Sequence, residues 1–297
     1  MKKLLLILVT IGLALSFAAC GADEPAPQET PEAVELDDTS VSETDSVEMQ
    51  HLRVGVVGAF NIHWEVIRSL VAEDGIDLEI VYFSDFMTPN RALAEGDIDL
   101  NAFQHRMFLE SDIAANGYEI EAIAETFISP LNLFKNTDRI STLEDLQDGH
   151  TVAIPSDPTN SGRALWLLEA AGLIVIDPNV SGLPTVLDIV EYVVDISIME
   201  VESGMLPNIL PDIEAAAING LNALSAGLDP ETQSIFREDI AGEDVSHLIN
   251  VIAVRSADLA ADELIVDLFD LIVQAHHSDM VRQAMIDAYH GALVPVW

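Results

Sequence analysis

The sequence predicts an α/β fold with mixed sheets and helices on both faces. Two observations carry that expectation. From residue 52 to the end, short apolar runs of strand length alternate with stretches whose apolar residues recur at helical spacing. No period of solenoid length repeats along the chain.

The first 51 residues stand apart from that pattern. Met1-Lys2-Lys3 is a short positive segment, and Leu4 to Phe17 is an uncharged, mostly apolar run of 14 residues. The run is too short to cross a bilayer comfortably and reads as an export signal. Ala18 and Ala19 follow, then Cys20, the only cysteine. Residues 1–20 resemble a bacterial lipoprotein signal, with Phe17 where a Leu is usual. That resemblance implies cleavage after residue 19 and acylation of Cys20. The acyl chains would hold the protein on the extracytoplasmic face of the cell membrane, each buried methylene contributing about 0.8 kcal/mol. Gly21 to Gln50 holds ten acids, no Lys or Arg and no apolar periodicity. Self-repulsion favours an extended tether here, so residues 20–51 are expected to be lipidated Cys plus acidic tether.

Charge excludes one class of partner. Lys plus Arg number 12 against 51 Asp plus Glu, a net charge of −39. Such a chain repels phosphate backbones, so no nucleic-acid partner is expected. A single Cys excludes an internal disulfide framework and a cysteine-rich zinc site.

The body reads element by element. Leu52 to Val57 is a buried strand, Trp64 to Ala72 a helix, and Ile76 to Phe83 an alternating strand. Asn90 to Glu95 is a short helix stopped by Gly96, and Ile98 to Ala102 a strand leading into a helix from about Gln104 to Ala115. Ile120 to Ala124 and Phe127 to Phe134 read as strands, and Ser141-Thr142-Leu143-Glu144 as a capping box. Thr151 to Pro155 is a strand, and Thr159 to Ala171 a helix ended by Gly172. Strands follow at Ile196 to Val201, Ala215 to Asn219 and Ile249 to Val254, and helices at Leu259 to Ala275 and Ser278 to Tyr289 close the chain.

Catalytic signatures are missing. There is no phosphate-binding Gly-rich loop, no HExxH and no G-x-S-x-G, so neither an enzyme nor a cofactor is expected. Binding features do occur. Asp99 to His105 and Pro155 to Arg163 each run from a strand end into a helix, where ligands sit in open α/β sheets. Arg163 in a helix's first turns, near free N–H groups, suits a carboxylate; a surface salt bridge to one of the many acids fits its spacing equally. His105 alone reads as structural. Asn219 and Asn250 need buried partners. Phe86, Phe103 and Phe108 read as core. Adjacent His276 and His277 point about 100° apart on a helix and make a poor chelate, so a solvated helix end is expected and no metal.

Five segments carry a family resemblance: Gly96 to His105, Leu143 to Gly149, Pro155 to Arg163, Leu183 to Glu191, and Ala217 to Gly220. With them the chain, from about Arg53 to Trp297, resembles the methionine-binding lipoproteins of the MetQ/NlpA family, substrate-binding components of methionine ABC importers. The resemblance implies a two-lobed periplasmic-binding-protein fold of type II with the ligand in the cleft. Lobe one would be residues 52–134 plus 250–297, and lobe two residues 135–249. It implies methionine or a related amino acid as ligand and an ABC permease and ATPase complex as partner. Arg163 and Asn160 would hold the ligand carboxylate, Asn219 and Asn250 its polar backbone, and Phe103, His105, Phe86 and Phe108 its side chain. Replacing Arg163 would then remove binding and spare the fold. A buried zwitterion needs both charges paired, and a thioether gains about 0.3–1.5 kcal/mol per aromatic contact. Phe86, Phe108, Ser129 and Asn222 stand where the family commonly has Tyr, and Leu221 where it has Asn. Another apolar amino acid, a methionine-containing dipeptide, or a surface adhesin on the same fold are the alternatives.

Overall fold

A computed structural model describes residues 49–242, 245–261 and 263–297. The expected signal segment, Cys20 and the tether up to Glu48 lie outside the described residues. The strands are β1 Gln50–Val57, β2 Ile76–Phe83, β3 Leu100–His105, β4 Ile120–Ile128, β5 Asn132–Lys135, β6 Thr151–Pro155, β7 Ile174–Ile176, β8 Ile189–Tyr192, β9 Ser197–Val201, β10 Ala215–Ile218, β11 Ser234–Arg237, β12 Ile249–Arg255 and β13 Val294–Pro295. The helices are α1 Ile62–Glu73, α2 Pro89–Glu95, α3 Arg106–Asn116, α4 Pro158–Ala170, α5 Leu206–Ile209, α6 Gly220–Ser225, α7 Pro230–Gln233, α8 Ser256–Ala261, α9 Glu263–His276 and α10 Asp279–Tyr289.

Two main sheets organise these elements. The first runs β13-β4-β12-β3-β1-β2, and the second β11-β5-β10-β6-β9. Each mixes parallel and antiparallel pairs: β1 is parallel to β2 and β3, while β12 is antiparallel to β3 and β4. Period-two alternation sends successive residues to opposite faces. In the second sheet Val152, Ile154, Ala215 and Ala217 pack with Ala164, Leu165 and Leu168 of α4, while Ala153, Ala216 and Ile218 pack with Leu206 and Leu210. In the first sheet Trp64, Ile67 and Val71 of α1 meet Phe269 and Ile272 of α9 and Met285 and Tyr289 of α10. Leu93, Ile98, Leu109 and Val251 fill the other face. The two-lobed fold expected from the motifs is therefore present.

Several expectations need correction. Gln50 and His51 are strand, not tether, because both pair with β2 at Ile76 and Asp77. Phe127 to Phe134 is not one strand: β4 runs through to Ile128 in the first sheet, and β5 begins at Asn132 in the second. Pro130 lies between them and has no N–H for a ladder. The chain thus leaves the first sheet before residue 134. Gln104 and His105 end strand β3 rather than opening α3. Gln104 is held there by a buried amide network: its Nε2 donates to Asn90 Oδ1 at 2.6 Å and to Asn101 Oδ1 at 3.0 Å. Asn90 Nδ2 in turn donates to Asp112 Oδ2 at 2.8 Å.

His276 is not at a solvated helix end either. It is fully buried, with its ring 5.8 Å from His63, 5.7 Å from Trp64 and 4.9 Å from Trp297. Its apolar helix face turns it inward, because α9 packs on α1 and presents Leu268, Phe269 and Ile272 to the same core. His63 Nδ1 shares a hydrogen bond with the Tyr289 hydroxyl at 2.5 Å, and the His63 backbone N–H donates to the same oxygen at 3.3 Å. Burial pushes His63 down to about 3 and holds His276 well below the ordinary imidazole range.

The acid surplus belongs to this folded body. Ten of the 51 acids lie in the tether, which leaves 41 against ten bases beyond it. Most carboxylates therefore have no cation to pair with, and like charges crowd the surface. The melting temperature is expected to rise from 0.05 to 2 M NaCl or KCl, because the Debye length shrinks from about 10 Å at 0.1 M to about 3 Å at 1 M. Each kcal/mol of relieved repulsion corresponds to about 2–4 °C in a domain of this size. A melting series comparing chloride with sulfate checks this, and a flat or falling curve in chloride would contradict it.

Candidate functional site

Between the two sheets lies a small, nearly filled cleft, with about 30 Å³ of space for the centre of a water-sized sphere. Its wall brings together all eight residues singled out from the sequence: Phe86, Phe103, His105, Phe108, Asn160, Arg163, Asn219 and Asn250. Gln104, Ser129 and Leu221 complete it. Asn222 does not belong; it faces a separate recess lined by Gly58, Tyr82 and Ser225.

One end of the cleft is apolar. Phe103 stands on β3, Phe108 in the first turn of α3, and Phe86 in the loop before α2. Their ring centroids are 5.9–6.2 Å apart, one pair stacked and two edge-on, a geometry favoured by the ring quadrupoles. They form a small cluster of their own with Val57 rather than joining the main core.

The other end is polar. Asn160 and Arg163 project from the first two turns of α4 and are 2 % exposed each. Asn160 Oδ1 collects three donors: His105 Nε2 at 3.3 Å, Arg163 Nη1 at 3.2 Å and Asn219 Nδ2 at 2.8 Å. His105 Nδ1 accepts from the Phe108 N–H at 3.0 Å, which leaves Nε2 to carry the proton. Burial holds His105 well below the ordinary imidazole range, and the Arg163 charge acts the same way. Asn219 precedes α6 at its N-terminus without a side-chain capping bond, and the helix's first residue, Gly220, lies so close to Ser129 Oγ and the Ala292 carbonyl that a Cβ would sit 2.5 and 2.8 Å from them. Among the described residues, two buried atoms here have no protein partner: Asn219 Oδ1 and Ser129 Oγ.

Two features of this end differ from the sequence expectation. The N-terminus of α4 is not free for an anion, because Asp157 caps it and accepts from the Asn160 N–H at 2.9 Å. Arg163 is not an open guanidinium either. Its Nε and Nη2 donate to the two oxygens of Glu238, at 3.0 and 2.5 Å, and Nη2 also reaches the Ser129 carbonyl at 3.1 Å. Glu238 lies 75 positions from Arg163, so no local spacing could have exposed it. Its one sequence cue is an acid in the segment that returns to β12.

Comparison with known proteins now bears on this geometry. The family model described as NlpA lipoprotein matches residues 52–297. The chain belongs to the NlpA lipoprotein family. The D-methionine-binding lipoprotein MetQ of Escherichia coli K12 is 38% identical over 257 residues, covering 85% of this chain and 91% of the relative. The substrate-binding protein of a methionine transporter from Streptococcus pneumoniae superimposes with a TM-score of 0.78 at 32% identity, covering 83% of this chain and 96% of the other. A nutrient-binding protein from Burkholderia cenocepacia, bound to methionine, gives a TM-score of 0.75 at 32% identity over 83% of this chain and 100% of the other. All three relatives are named as binding proteins, one of them as the substrate-binding protein of a methionine transporter.

Proposed function

We propose that this NlpA-family chain captures methionine or a closely related amino acid in the interlobe cleft and delivers it to an ABC permease and its ATPase. It would do so from the extracytoplasmic membrane surface, held by lipid on Cys20. No described helix is long and apolar enough to cross a membrane. Lobe one is taken as residues 50–130 plus 239–297 and lobe two as residues 131–238, so that both chain crossings, near Leu131 and Glu238, mark the boundary and β5 falls in lobe two.

One observation carries the reading: a cage of three phenyl rings faces a buried polar cluster with unpaired acceptors across a single small cleft. A thioether side chain fits the cage. The ligand ammonium donates to Asn219 Oδ1, and the carboxylate takes the remaining Nη1 hydrogen of Arg163 and the Ser129 hydroxyl. Asn250 and His105 flank that head group. Names of the relatives support methionine as the first ligand to try.

Calorimetry with methionine, leucine and norleucine tests the proposal. Submicromolar to micromolar methionine binding is the expected result, about −8 kcal/mol or tighter. The all-phenyl cage, lacking the hydroxyls of the family's usual Tyr, recognises shape alone, and a methylene-sized difference is worth only about 1–3 kcal/mol. Leucine and norleucine should therefore bind about 10- to 200-fold more weakly, not be excluded. No heat with methionine, and no amino acid co-purifying by mass spectrometry, would remove the reading. Strong rejection of both analogues would remove its selectivity part.

A further inference from the structure

We propose that Glu238 sets the net charge the cleft accepts, making it selective for ligands that carry no net charge. This rests on the reading of the cleft as an amino-acid site and adds the rule by which it chooses among carboxylic acids.

Among the described residues, Arg163 is the one cationic side chain in the cleft wall. A guanidinium has five N–H bonds. Two of Arg163's go to Glu238 in a parallel fork, one to the Ser129 carbonyl and one to Asn160 Oδ1. A single Nη1 hydrogen remains for a ligand. The Arg163 and Glu238 side chains are 2 % and 15 % exposed, so the pair neutralises itself largely out of water.

The carboxylate is also fixed in place. Glu238 Oε2 accepts from the Leu131 N–H at 2.9 Å, while the Glu238 N–H donates to the Leu131 carbonyl at 2.9 Å. Leu131 and Glu238 lie on the two chain crossings between the sheets. An incoming carboxylate therefore cannot swing Glu238 aside and claim the guanidinium.

A ligand with a carboxylate and no ammonium would bring an uncompensated charge into a site whose cation is already paired, at a large desolvation cost. A zwitterion brings its own cation, and Asn219 Oδ1, buried without a partner, is there to accept from it. Asp157, held against Asn160 Nδ2 at 3.0 and 3.1 Å, adds a further negative charge nearby and opposes a bare anion. Without Glu238's charge, Arg163 becomes an open anion receptor.

The test is calorimetry of the whole protein with methionine and with 4-(methylthio)butanoate, the same molecule lacking the amino group. Wild type should bind the deamino acid at least 100-fold more weakly than methionine. Glu238→Gln keeps the size and an acceptor for Leu131, and should shrink that ratio at least tenfold by strengthening the deamino acid. Glu238→Asp keeps the charge and should keep the ratio, although both affinities fall, which a purely structural role would not separate. If wild type binds methionine and the deamino acid within tenfold, or if Glu238→Gln leaves the ratio within threefold of wild type, the charge rule is wrong while the amino-acid reading stands. Even if Glu238→Gln does not fold, the wild-type comparison can overturn the charge rule, and Glu238→Asp still tests whether the ratio follows the charge. Failure of wild type to bind methionine overturns both.

Discussion

Arg163→Ala is expected to abolish amino-acid binding and to destabilise the fold as well. Truncation removes the Nη1 donor left for the ligand carboxylate and leaves the Glu238 charge uncompensated beside it, and loss of one member of such a hydrogen-bonded charge network costs about 2–5 kcal/mol of binding, roughly 30- to several-thousand-fold in affinity. The sequence alone suggested that the fold would be spared. The Glu238 pair changes that expectation, because truncation leaves a largely buried carboxylate with no cation. Breaking such a pair from one side costs about 3–5 kcal/mol of stability. The double variant Arg163→Met with Glu238→Gln separates the two effects. It removes both charges, so denaturant melts should recover most of the lost stability while calorimetry still shows no binding. A single variant that binds normally would sink the site assignment. A double variant no more stable than the single would show that the ion pair is not what the fold loses.

Steep loss of stability between pH 6.5 and 4.5 is the second large effect expected. Burial keeps His63 down to about 3, and His276 and His105 well below the ordinary range. All three are neutral when folded, whereas an unfolded histidine titrates near 6.5. The sign follows from linkage. Above about pH 6.5 neither state binds these protons and stability is flat. Below it the unfolded state takes up protons that the folded state refuses, so stability falls with pH until the folded value is reached, near 3 for His63. Each such histidine contributes a slope of about 1.4 kcal/mol per pH unit, so three together approach 4. Against a typical total of about 5–15 kcal/mol, two pH units in that window remove much of the stability. Exposed carboxylates such as Asp145 and Asp177, held low by backbone N–H donors, act in the same direction only at more acidic pH. His276→Leu checks the assignment, since neither ring nitrogen of His276 has a partner to lose. Urea denaturation at pH 7.5, 6.0 and 5.0 should show the variant's slope reduced by about one histidine's share. A profile parallel to wild type would assign the acid sensitivity elsewhere.

Much of this protein was legible in its sequence because the signals are local. Run length and period identified β1, β2, β6, β10 and β12, and helices α1, α4 and α10, since an apolar run of strand length or a helical stripe buries itself in only one way. The family resemblance carried by the segments Gly96 to His105, Pro155 to Arg163 and Ala217 to Gly220 selected the residues that line the cleft, whereas spacing alone left His105 as structural, the three Phe as core and Arg163 open between a carboxylate and a surface salt bridge. Short elements without periodicity, such as β7, β8 and β13, left no signal, for they exist by pairing with distant partners. What only the tertiary structure decided is the state of those selected residues. Arg163 appears in sequence as a cation beside free helix N–H groups; folded, it is bound by Glu238, and Asp157 caps the helix. His276 reads as a helix-end surface residue; folded, it is core against His63 and Trp297. The reason is physical. Spacing along the chain fixes which face a side chain occupies, but its charge partners and its burial are set by segments dozens of residues away, which meet it only once the two sheets have formed.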